Sequence, residues 1–245
     1  MDDDKQRGDP VDRGPGWRRG HARGKLDGQF GSTLPARKRT RGRPPNPVLQ
    51  AEKRECAKTA FMRRVASVGV ASTHIGDVVR DAHISTEQWY EWFVSKEAAY
   101  LMLFDTCGGK FLADAQRVFE ATPGPWEARM RAALELVTAE LEAHPVVARF
   151  LLEYQNVTGG AQALARLLGR AQAVYLTDEV RRSAPPLPPA ALDSIAGTLI
   201  VEPMRRYIAD GQLHRLRELV PTVLYCLTLH LLGPERAAPL RPAPT

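Results

Sequence analysis

The sequence predicts an all-α protein, with an N-terminal helix-turn-helix domain followed by a larger helical domain. Three observations predict it. Apolar residues recur at three- and four-residue spacing from about Val48 to Leu232, the period of helices with one buried face. Clusters such as Thr122-Pro-Gly-Pro125 and Gly159-Gly160 cut that pattern into helix-length pieces. No stretch alternates apolar and polar residues over strand length, and no internal repeat is visible.

The elements follow in order. Residues 1–46 are rich in Gly, Pro, Arg and Asp and have few aliphatics. They cannot bury enough surface to offset backbone entropy, which predicts a disordered basic arm. A helix over 48–68 carries Cys56, Ala60, Phe61, Val65 and Val68 on one face, and Gly69 is placed to terminate it. Thr73 is the expected N-cap of a second helix over 74–81, with Val78, Val79 and Ala82 as its apolar side. Ile84 plugs the turn, and Ser85 caps a third helix over 86–92. On that helix Trp89, Tyr90 and Phe93 share a face, with Trp89 and Phe93 assigned to the core. Two short helices joined by a tight turn, the second starting with short polar side chains, have the punctuation of a major-groove reader.

Ser95-Lys96-Glu97 opens a long helix to about Glu120, which Gly108-Gly109 should interrupt, as a hinge or as a close helix crossing. Helices are then predicted over 126–143, 146–157 with Pro145 at the first turn, and 161–182. Pro185-Pro-Leu-Pro-Pro189 reads as a stiff connector. Helices over 190–209 and 213–232 follow, with Pro203 kinking the first and Gly233-Pro234 ending the second. The domain reading is therefore 1–46 disordered basic arm, 47–96 helix-turn-helix domain, 97–233 larger helical domain and 234–245 flexible tail.

Composition bounds the function. Of the 245 residues, 34 are Lys or Arg and 28 are Asp or Glu, for a net charge of +6. Residues 1–50 hold 12 Lys/Arg and 6 Asp, so the arm carries the whole excess and the rest is neutral. Such an arm suits phosphate. Within it, Arg41-Gly42-Arg43-Pro44 resembles an AT-hook core, in which Arg41 and Arg43 enter a narrow A·T minor groove. No run of about 18 apolar residues exists, so no membrane span is expected. Met-Asp-Asp-Asp-Lys at the start has no apolar core of a secretory signal. Cys56, Cys107 and Cys226 are odd in number and widely spaced, which argues against a disulfide framework or zinc site and for a cytoplasmic location.

Gly69, Thr73, Ile75, Val78, Ala82, Ile84, Ser85, Tyr90, Phe93, Ser95, Lys96 and Glu97 hold one register that resembles the N-terminal pattern of TetR-family transcriptional regulators. The resemblance covers about 50–105. His144-Pro145, Tyr207-Ile-Ala-Asp-Gly211, Leu219-Val-Pro221 and Leu232-Gly-Pro-Glu235 are compatible with it further on. It implies a homodimer joined through its last two helices as a four-helix bundle, with an effector pocket in the C-terminal domain. The implied activity is that of a repressor on a palindromic double-stranded DNA operator, released when a small hydrophobic effector changes the spacing of the two heads.

Residue by residue, the resemblance assigns Tyr90 and Lys96 to phosphate and Thr73 to anchoring the second helix on the DNA backbone. Trp92 stands where a His often touches phosphate. Thr86, Glu87 and Gln88, behind Ser85, are candidates for base contacts, since Gln can bond adenine bidentately. The departures are His83 at the usual turn glycine, a position calling for positive φ, and Glu91, a carboxylate close to DNA. Candidate pocket residues are Phe104, Phe111, Met130, Leu134, Phe150, Tyr154, Gln155, Tyr175, Leu199 and Met204, a set whose apolar character points to a hydrophobic or aromatic effector.

No catalytic constellation is expected. His21, His74, His83, His144, His214 and His230 pair with no Asp, Glu, Ser or Cys at a catalytic spacing. Cys226 and His230 supply only two ligands, short of a zinc site, and Gly159-Gly160 lacks the Lys of a phosphate loop. No cofactor or metal is predicted. The competing reading is an architectural DNA binder working mainly through the arm, with weak sequence preference and strong salt dependence. It leaves the large helical domain without a purpose.

Overall fold

The computed structural model describes residues 46–183 and 188–242, and its first described residue is Asn46. Its Oδ1 accepts from Val48 N at 3.1 Å and Pro47 fills the first turn of α1 (Pro47–Ser72), where a missing N–H costs nothing. The face of α1 that packs is Ala57, Ala60, Phe61 and Val65. This corrects the expected stripe, because Cys56 and Val68 are exposed. At Gly69 the backbone turns to φ 80°, the predicted break, and helical turns resume to Ser72.

The next two helices, α2 (Ile75–Asp81) and α3 (Thr86–Trp92), lie over α1. His74, not Thr73, holds the N-cap position of α2, and no side chain caps it. Val78, Val79, Trp89 and Phe93 close on Phe61 from above. Trp89 is the centre of this core: fully buried, with its ring centroid 5.3 Å from Phe61 and 4.4 Å from Phe93. Arg64 of α1 and Asp81 of α2 pair at 2.7 Å, and the guanidinium holds the Asp81 carboxyl below the usual carboxylate range.

Ser95 caps α4 (Lys96–Ala121) by accepting from Ala98 N at 3.0 Å. The helix runs unbroken through Gly108-Gly109, so those glycines do not interrupt it. A Cβ on Gly108 would stand 2.8 Å from the Leu167 side chain, and the pair is therefore a close crossing. The crossing partner is α7 (Gly160–Tyr175), which with α5 (Trp126–Ala143) flanks α4.

Several predicted helices are shorter or less regular than their apolar patterns. The element over 146–157 is α6 (Pro145–Leu152) followed by a 3-10 turn, Glu153–Asn156. That over 161–182 stops at Tyr175 and resumes as α8 (Asp178–Ser183). The span 190–209 is α9 (Pro189–Ala196), a π turn at Gly197–Val201 and α10 (Glu202–Ala209). The π turn sits just before Pro203, a common way for a helix to absorb a residue that cannot donate. Leu213–Leu219 is 3-10 helix leading into α11 (Val220–Leu232).

The reading of 234–245 as a flexible tail is corrected over its described part. Beyond Gly233 the chain forms α12 (Pro234–Ala237) and a 3-10 turn to Leu240. Arg236 explains why it packs. Its guanidinium forks onto Glu127 at 2.7 and 2.6 Å and also bonds Glu179, a bidentate geometry with directional strength. Arg41 and Arg43, with the rest of the basic arm, lie outside the described residues.

Candidate functional site

Helix α3 is built to present a polar edge. Ser85 Oγ accepts from Gln88 N at 3.1 Å while Gln88 Oε1 accepts from Ser85 N at 3.3 Å, a reciprocal capping box that fixes the start of the helix. Its inner side buries Trp89. Its outer side exposes Thr86, Glu87, Tyr90 and Glu91, with Tyr90 52% exposed. Before it, His83 takes φ 53°, the left-handed turn geometry foreseen at that position. Gln88 is half-buried with its amide oxygen committed to the cap, and Trp92 packs half-buried on the head core.

Two residues expected at DNA are engaged elsewhere. Thr73 is buried and its hydroxyl donates to Gly69 O at 2.7 Å. Lys96 sends its ammonium to Val70 O and Ala71 O, both at 2.9 Å, and to Thr73 O at 3.5 Å. Three carbonyls share its ammonium, so both side chains tie down the α1–α2 junction. From the opposite side Glu153 Oε2 accepts from Val70 N at 3.2 Å and from Asn156 Nδ2 at 3.2 Å. The junction is thus gripped by the start of α4 and by the 3-10 turn after α6.

That 3-10 turn also reaches a cavity. Tyr154, next to Glu153, lines a space of about 290 Å³ among α4, α5, α6, α7, α9 and α10, with Leu227 and Leu231 of α11 at one side. Of the predicted pocket residues, Phe104, Phe111, Met130, Leu134, Tyr154, Tyr175 and Met204 line it. Phe150, Gln155 and Leu199 do not. Phe150 is fully buried against Tyr100, whose hydroxyl donates to Phe150 O at 3.0 Å. Gln155 is exposed, though its Nε2 donates to Tyr154 Oη at 3.0 Å. Leu199 packs on the neighbouring core, while Ile195, Ile200 and Val201 turn to the cavity.

The polar lining is sparse: Tyr154, Gln172 and Tyr175. Trp126 Nε1 donates to Tyr175 O at 2.8 Å, and burial pushes the Tyr175 phenol up to about 12. Gln172 Nε2 donates to Asp193 Oδ1 at 2.5 Å, joining α7 to α9. Gln172 was legible, since Leu164, Leu168 and Gln172 are four apart on one face. Glu153 was not, because its partner Val70 is 83 residues away.

No protein-family model and no curated protein matches the chain. Solved structures do. A TetR-family transcription regulator from Marinobacter aquaeolei VT8 shares 16% identity at a TM-score of 0.59, over 73% of this chain and 97% of that one. A TetR-family transcriptional regulator from Pectobacterium atrosepticum shares 17% at 0.57, over 78% and 100%. The regulator FadR from Bacillus subtilis, solved in complex with stearoyl-CoA, shares 14% at 0.58, over 74% and 99%. The fold is that of TetR-family regulators.

On this TetR-type fold the α2–α3 pair is the helix-turn-helix, and the cavity lies in the helical domain behind it. Among the described residues no three His, Cys, Asp or Glu side chains gather to hold a metal ion. No helix among them is long and apolar enough to cross a membrane.

Proposed function

We propose that this chain is a sequence-specific DNA-binding transcriptional regulator, a cytoplasmic homodimer that represses from a palindromic operator and is released by a small hydrophobic effector. The observation that carries the reading is α3: a capped helix, anchored through Trp89, whose Thr86, Glu87 and Tyr90 edge is exposed on a TetR-type fold. In this reading Thr86 and Glu87 meet base edges, Glu87 by accepting from a cytosine amine. Tyr90 donates to phosphate, a contact that positions without specifying. Arg41 and Arg43 extend the footprint into the minor groove.

Dimerisation is supported by α11. Its buried side faces its own subunit, yet Thr222, Tyr225, Cys226 and Leu229, at i, i+3, i+4 and i+7, form a second stripe that the subunit leaves partly exposed. Effector release is supported by the 3-10 turn, in which the cavity wall (Tyr154) and the grip on the head (Glu153) are adjacent residues. A ligand that displaces Tyr154 shifts that grip and, with it, the spacing of the two heads.

Selection of bound duplexes from a random DNA pool tests the reading. The expected result is a palindrome with half-sites about one helical turn, or a multiple of it, apart. Enrichment of A·T-rich DNA without a palindrome would replace it with the architectural reading, binding through the arm.

A further inference from the structure

The cavity specifies the chemical class of its occupant, an inference that rests on the effector reading above. An engineered apolar cavity of about 150 Å³ holds one benzene. The space here, about 290 Å³, is therefore sized for about a dozen non-hydrogen atoms. Its wall is apolar except at Tyr154, Gln172, Tyr175 and the Trp126 N–H, which is committed to Tyr175 O, and no Lys or Arg is among the residues that line it. An ionised carboxylate or phosphate inside would lose its hydration without meeting a counter-charge. A carboxylate bonded directly to the wall has the same sign, since Gln172 is held at 2.5 Å by Asp193.

The three polar groups are neutral and complementary to a hydroxyl. A carboxylate can only accept, so Gln172 must offer Asp193 its amide nitrogen. That leaves Gln172 Oε1 as an acceptor on the wall. Tyr154 accepts from Gln155 and keeps its own proton to donate. The Tyr175 phenol stays protonated because burial raises its pKa to about 12.

We infer that the effector is an uncharged, mainly hydrocarbon molecule of about a dozen non-hydrogen atoms bearing a hydroxyl-type group. Gln172 accepts from that group and Tyr154 or Tyr175 donates to it, while Asp193 behind Gln172 excludes anionic analogues. This occupant differs in kind from the stearoyl-CoA held by the Bacillus subtilis structure.

Titration calorimetry on the full chain near neutral pH tests this with two matched series: 1-decanol, decanoate and decylammonium, and 2-naphthol, 2-naphthoate and 2-naphthylmethylammonium. The expected result is that at least one neutral member binds about tenfold or more tighter than its carboxylate, about 1.4 kcal/mol. Asp193→Asn keeps the acceptor for Gln172 and removes the charge, so it should narrow that ratio. A carboxylate binding as tightly as its alcohol, an ammonium binding tightest, or a ratio unmoved by Asp193→Asn overturns the inference and leaves the effector reading standing. Binding by none of the six at their solubility limits overturns both.

Discussion

The head and the helical domain behind it solve opposite problems with the same secondary structure. In the head, every helix start but that of α2 is fixed by a side chain: Asn46, Ser85 and Ser95 each accept from a backbone N–H of the helix they precede. Helices α5, α6, α7, α9, α10, α11 and α12 have no side-chain cap. The head core is a run of rings, Phe61, Trp89 and Phe93, then Tyr100, Phe104 and Phe150, at centroid separations of 4.4 to 6.0 Å. The domain behind it leaves a cavity, and its helices give way to 3-10 and π turns. Local bonds make the head rigid. Helices without such caps can repack more readily, which suits the effector response proposed for this part.

If the head owes its rigidity to ring packing, the largest effect should come from its centre. Trp89→Ala removes a fully buried indole and should cost about 3–5 kcal/mol. Thermal denaturation would show the loss, and operator binding should disappear with it. A variant that keeps its stability would mean that α3 is held by its cap rather than by its core.

The same contrast decides what could be read from the sequence. The capping box, the Gly69 break and the positive φ of His83 are local, so residues within four positions of one another disclose them. The apolar period predicted helices throughout but overran at Leu152, Tyr175 and Leu213, where tertiary packing replaces α-helical turns with 3-10 turns or breaks. Among the cavity residues, periodicity could find inward faces but could not tell core from wall. Phe150 and Met204 look alike in sequence, yet only Met204 meets the empty space. Thr73 and Lys96 were assigned by resemblance, which says nothing of the carbonyls at the α1–α2 junction that both side chains bond here.

An intermediate effect is expected where the two regions meet. Gly160 starts α7 so close to the 3-10 turn that a Cβ there would lie 1.9 Å from Tyr154 O. The obstacle is backbone, so Gly160→Ala must push the turn or the helix aside. A cost of about 1–3 kcal/mol follows, as for other overpacked sites. Denaturant unfolding would measure it, and effector affinity should fall more than operator affinity because Tyr154 moves first. Equal losses would show that the turn belongs mechanically to the head.

The smallest change in stability, and the sharpest test of the comparison, is at Glu153. Its carboxylate accepts from the buried Val70 N–H. In Glu153→Gln the amide oxygen can still accept, so the bond survives without its charge. Charge-assisted bonds are about twice as strong as neutral ones, and the expected loss is therefore within about 1 kcal/mol. The operator should still be bound. What should change is the concentration of effector needed for release, because the link between Tyr154 and the head has been loosened while both ends remain intact. Glu153→Ala leaves the Val70 N–H without this acceptor and should move both stability and release in the same direction by more. Measuring operator release against effector concentration for both variants separates the alternatives. An unchanged release curve in Glu153→Ala would show that the head takes its signal through α4 instead, whose Lys96 grips the other side of the same junction.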